Sequence, residues 1–183
     1  VITAPKIRSC GDDAILVDHI SPSGSECVFV DDMDVAHCQG AAKFTIPKGR
    51  VTGRVHRTLA SALQVIVYGD ARPEDLTIDV DISEAGMLQN GEIGTKLIGV
   101  GNNQSACFLW TNGAGFTLRG RYSKTKRHGL DWVSGNWEDE DSSFADPVTY
   151  VRNVIVDLHL DEIGHAAVDR ETHQVSGITP GAR

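Results

Sequence analysis

The chain has 183 residues, a net charge of −8, 40% hydrophobic residues and 19 glycines. Its length suits one domain with a core that needs neither disulfides nor metal. Its acidity argues against an autonomous nucleic-acid-binding face and against a role on acidic lipid surfaces, and no apolar run reaches the roughly 18 residues of a membrane-spanning helix.

The chain opens Val1-Ile2-Thr3-Ala4-Pro5, with neither Met nor a signal-peptide pattern. Release from a precursor and a trimmed start both fit. Residues 1–13 are polar and read as an extended terminus. Ala14 to Val17 is a short apolar run, and Ser21 to Ser25 has loop composition. Strands are expected over Cys27 to Val35, Ala42 to Ile46 and Val51 to Val55. Thr58 to Leu63 is the one place that suggests a short helix, capped by Thr58.

The centre of the chain is the clearest. Leu63 to Tyr68 is rich in β-branched residues. Leu76, Ile78, Val80 and Ile82 alternate with Thr77, Asp79 and Asp81. That period of two reads as a half-buried antiparallel strand, paired with its predecessor through the Gly69 to Asp75 turn. Further strands are expected over Lys96 to Val100, Ala106 to Thr111, Phe116 to Tyr122 and Val148 to Leu160. Asn112-Gly113 marks a hairpin. No internal repeat is visible, which argues against a propeller. The expectation is an all-β fold, an antiparallel two-sheet sandwich and most readily a jelly roll, with an immunoglobulin-like sandwich second. It forms one domain over 1–183, with core strands over 14–160 and extended termini at 1–13 and 161–183.

Six groups of residues invite a functional reading. Asp161-Glu162-Ile163-Gly164-His165 resembles the metal-binding helix of metzincin proteases, with Asp161 in place of the first histidine. The resemblance implies a hydrolase built around His159, Glu162 and His165. It departs from the family at Val168 and Glu171, and no Met follows. A strand end with solvated polar residues competes with it. Cys10-Gly11-Asp12-Asp13 resembles the paired-carboxylate turn of viral RNA polymerases and reads here as a loop. Asp31, Asp32 and Asp34 lack the Gly and distal Glu of an EF-hand loop and read as a solvated strand face. The basic run Lys124 to His128 reads as a solvated loop or an interface with acids such as Glu138 to Asp141. Trp110, Trp132 and Trp137 could stack on sugars, though tryptophans near a Gly turn more often plug a core. Cys10, Cys27, Cys38 and Cys107 include no Cys-x-x-Cys pair. They read as free thiols, with Cys27–Cys38 the bridge to expect in an oxidising compartment.

Taken together, the pattern resembles the jelly-roll capsid domains of picorna-like viruses, the plant secovirids among them. The resemblance rests on architecture, not on a motif. It implies a self-assembling coat subunit cut from a polyprotein and found in the virion after assembly in host cytoplasm. Its partners would be itself and related coat subunits, with weak contact to packaged RNA and none with membrane. Loops 101–104, 123–129 and 138–146 would meet neighbours. No catalytic or metal residue and no cofactor is assigned, and the chain is not expected to be an enzyme. The alternative is a secreted or bacterial-surface β-sandwich adhesin or carbohydrate-binding module whose partner is a host glycan. A metal-dependent hydrolase comes third.

Overall fold

A computed structural model describes residues 1–17, 27–45, 48–66, 75–86, 105–110, 115–133 and 153–164. They form twelve strands: β1 (Ile2–Thr3), β2 (Lys6–Arg8), β3 (Asp13–Val17), β4 (Cys27–Cys38), β5 (Gly40–Phe44), β6 (Lys48–Thr58), β7 (Leu63–Ile66), β8 (Leu76–Ala85), β9 (Cys107–Trp110), β10 (Phe116–Thr125), β11 (Leu130–Val133) and β12 (Ile155–Ile163).

Every strand pair is parallel. One sheet runs β1-β4-β6-β8-β10-β12, with β2 also on β4; the other runs β11-β9-β7-β5-β3. From β3 onward the chain alternates between the two sheets. Each pass through both sheets is therefore one coil, laid against the coil before it. This is a parallel β-solenoid, a quasi-one-dimensional stack.

The antiparallel sandwich and its jelly roll are thus corrected, although the all-β content stands. The alternation of Leu76 to Ile82 is real. Those four apolar residues are buried while Asp79 and Asp81 are exposed. In a solenoid a parallel sheet also has one face in the core and one in water, so its strands carry the pattern usual for antiparallel sheets. Neither expected hairpin forms. β7 and β8 lie in different sheets, as do β9 and β10. The expected helix at Thr58 to Leu63 is instead the end of β6, a corner and the start of β7. There Thr58 Oγ1 donates to the Ala60 carbonyl at 2.7 Å and closes the turn. The strand expected at Lys96 to Val100 lies outside the described residues.

The core consists of columns of like side chains, one per coil. Val30, Val51, Ile78, Leu118 and Val156 form one column on the larger sheet; Val35, Val55, Ile82, Tyr122 and Leu160 form another. Facing them are Ile15, Ala42, Leu63, Cys107 and Leu130, and Val17, Phe44, Val65, Leu109 and Trp132. The columns recur at unequal intervals because connections of different length separate the coils, and that conceals the repeat in the sequence. At the last rung the columns reach the surface, with Val156 46% and Leu160 38% exposed.

Two backbone features make this stacking possible. The larger sheet ends at a corner where Ser9, His37, Arg57, Glu84, Lys124 and Glu162 lie above one another, all with φ between 50° and 59°. Non-glycine residues in the left-handed region cost roughly 1–2 kcal/mol each. Here the next residue of each rung returns to the core, as Cys38, Thr58, Ala85 and Thr125 do. Gly53 and Gly120, at φ 132° and 136°, face inward beneath the backbone of Met33 and Val80, where a Cβ would overlap main-chain atoms. We expect Gly120→Ala to destabilise the fold by at least about 2 kcal/mol, and Gly11→Ala, which meets nothing within 4 Å, to be nearly neutral. Urea denaturation of the two variants measures the difference.

Candidate functional site

The outer face of the larger sheet carries most of the chain's chemistry, because parallel rungs in register place outward side chains in rows spaced by about 4.8 Å. The early rungs spend their charges on one another. Asp31 accepts two hydrogen bonds from Arg50, at 2.7 and 3.0 Å. Asp34 is bridged by Arg54 and Arg8, each at 2.9 Å. Arg54, then Arg8, hold its carboxyl down at about 2. The Asp31, Asp32, Asp34 group is therefore a salt-bridged strand, not a calcium loop.

The later rungs differ. Asp79 of β8, Arg119 of β10 and Asp157 of β12 form one row. Arg121 and His159 are partners in the next, beside Asp81, whose Oδ1 accepts the Arg121 backbone N–H at 2.9 Å. All six side chains are exposed, and no ion pair forms among them. Thr77 and Thr117 flank them on one side, Ser83 and Ser123 on the other. The result is a flat array of carboxylates, guanidinium groups and hydroxyls over three successive rungs.

At the corner of this face, His56 Nδ1 lies 2.8 Å from Ser83 Oγ, and Nε2 lies 3.8 Å from Glu84. The trio has the membership of a nucleophile, a base and an orienting acid. Its geometry is that of a ladder, however, since Arg57 Nε takes the Glu84 carboxylate directly. The ring of His37 meets His56 edge-on at 6.0 Å.

The residues singled out in the sequence fall as follows. His159 and Glu162 lie on β12 and at its corner rather than on a helix; His165 lies outside the described residues. The metzincin-like reading fails at this point, because ligands one helical turn apart require a helix. Among the described residues no three His, Cys, Asp or Glu side chains group to hold a metal. Asp13 opens β3, and burial, then the neighbouring Asp12, push its carboxyl up. The basic run is not a solvated loop: Lys124 is exposed at the corner, but Lys126 and His128 are buried. Trp132 is a core plug, edge-on to Phe116 at 5.0 Å; Trp137 lies outside the described residues, as do loops 101–104 and 138–146. The charged rows were not foreseen. Their parts were visible as outward positions of predicted strands, but adjacency across rungs depends on register.

Comparisons with family models, curated proteins and solved structures find no match. No helix among the described residues is long and apolar enough to cross a membrane.

Burial lowers the His56 pKa below its ordinary 6.5, against the opposing pull of Glu84. A depressed histidine adds stability that is complete above the unfolded value and declines as pH falls below it. We expect His56 to titrate below 6.5 by NMR. In His56→Gln, the fall in stability between about pH 6.5 and 5 should be shallower than in the parent.

Proposed function

We propose that this chain is a binding module that holds an extended, uncharged polysaccharide along the outer face of its larger sheet. The observation that carries this reading is the three-rung array of Asp79, Arg119 and Asp157 beside Asp81, Arg121 and His159, exposed and not paired into salt bridges. Carboxylates accept hydrogen bonds from sugar hydroxyls, and guanidinium groups donate to hydroxyl and ring oxygens. An array of both suits a ligand that is donor and acceptor at every residue. The flat face extends along the solenoid, and stacked repeats characteristically bind elongated partners on such faces. The net charge of −8 disfavours a polyanion. Binding, not bond cleavage, is the role assigned, and it fits a secreted or surface-displayed protein. The coat-subunit reading rested on a jelly roll that the chain does not form, so it is not carried forward.

A panel of neutral and acidic polysaccharides, probed by affinity electrophoresis and calorimetry, tests the proposal. Retardation by a neutral polysaccharide is expected. Arg119→Ala combined with Arg121→Ala should weaken it at least about tenfold, the effect of losing roughly 1.4 kcal/mol. Arg50→Ala, in the salt-bridged rungs, should leave it nearly unchanged. Absence of binding to every neutral polymer, or equal affinity of the double variant, overturns the reading.

A further inference from the structure

The four cysteines are all reduced in this structure, but two of them occupy neighbouring rungs at the same corner. The pairing of β2 with β4 aligns Arg8 with Ala36. It continues past the strand, since the Ser9 N–H donates to the Ala36 carbonyl at 3.1 Å and the Gln39 N–H to the Cys10 carbonyl at 3.0 Å. Cys10 therefore lies over Cys38, and its backbone N–H donates to Cys38 Sγ at 3.3 Å. Adjacent rungs are about 4.8 Å apart, inside the Cα separation of roughly 4.4–6.8 Å that a disulfide accepts. The bridge that the sequence left open for an oxidising compartment, Cys27–Cys38, is excluded by the same structure. Those two residues are the opposite ends of β4, roughly 35 Å apart at strand rise.

We propose that Cys10 and Cys38 form a reversible disulfide that clamps the first coil to the second. Cys10 is half-buried and can be reached from solvent, whereas Cys38 is buried. Burial pushes the Cys38 thiol up, so Cys10 is the thiol that reacts first. With oxidised glutathione, the Cys10 thiolate attacks one glutathione sulfur and expels the other as glutathione thiolate. The Cys38 thiolate then attacks the Cys10 sulfur of the mixed disulfide and expels the second glutathione. Two protein thiols are oxidised, one glutathione disulfide is reduced to two thiols, and two protons leave the protein. The bond pins β1 and β2, short strands whose only described partner is β4, and it does not depend on the glycan-binding reading.

The test equilibrates the full chain with oxidised glutathione, caps remaining thiols with N-ethylmaleimide in denaturant, and reads intact mass and a peptide map. The expected product has two capped thiols and a Cys10–Cys38 cross-linked peptide. Its thermal midpoint should lie roughly 5–15 °C above that of the reduced protein. Cys10→Ser, which leaves the buried thiol in place, should cap three cysteines and lose the redox dependence of its midpoint; Cys27→Ser should retain both the bond and the shift. Four capped thiols in the parent, or a disulfide mapped to any other pair, overturns the proposal.

Discussion

Everything in this molecule depends on the parallel backbone ladder that lays each coil in register on the one before. At a spacing of about 4.8 Å, a side chain of one rung has the equivalent side chain of the next as its nearest neighbour. Inward columns of Val, Ile, Leu, Phe and Tyr thus form a continuous core between the two sheets. Tyr122 and Cys107 meet within it, and burial raises both, the thiol to about 12. The ladder also dictates where the backbone must be unusual. Six stacked corner residues take the left-handed conformation because every rung turns at the same height. Gly53 and Gly120 stand where a neighbouring main chain leaves no room for a side chain.

The same repetition governs the surface. Outward residues meet in rows, so a charge on one rung is judged by the charges above and below it. In the first rungs Asp31 and Asp34 meet arginines and are bound to them. Such exposed pairs add little stability, but they occupy the groups involved. In the later rungs Arg119 stands between Asp79 and Asp157, with no ion pair to either. One sheet thus has a salt-bridged end and an end whose charges stay unpaired with one another. Under the proposed function, that second end is where a hydroxyl-rich polymer would find donors and acceptors at regular spacing.

The corner has a chemical consequence as well. It brings Cys10 and Cys38 into adjacent rungs from 28 residues apart in sequence, beside the short strands β1 and β2, whose only described partner is β4. Among the described residues the first coil pairs on one side only, and a covalent link there would reinforce that end of the ladder.

The sequence by itself determined most of the longer described strands and the apolar face of the clearest of them, but not β1, β2 and β11, nor the corner that stands where a helix was expected at Thr58 to Leu63. Leu76 to Ile82 and Phe116 to Tyr122 alternate as they do because inside and outside are set residue by residue. It also determined the all-β class and the role of Trp132 as a core plug. The direction and partner of each strand were settled only in three dimensions. Alternation is the same for a one-sided parallel sheet and an antiparallel one, and a turn signal in the sequence such as Asn112-Gly113 does not record whether the chain reverses into the same sheet or crosses to another. Unequal connections hid the repeat. With strand partners went everything that depends on register: the unpaired Asp79, Arg119 and Asp157 row, the stacked left-handed corner, and a Cys10–Cys38 contact in place of Cys27–Cys38. These are properties of neighbouring rungs, and neighbours in a solenoid are a full coil or more apart along the chain.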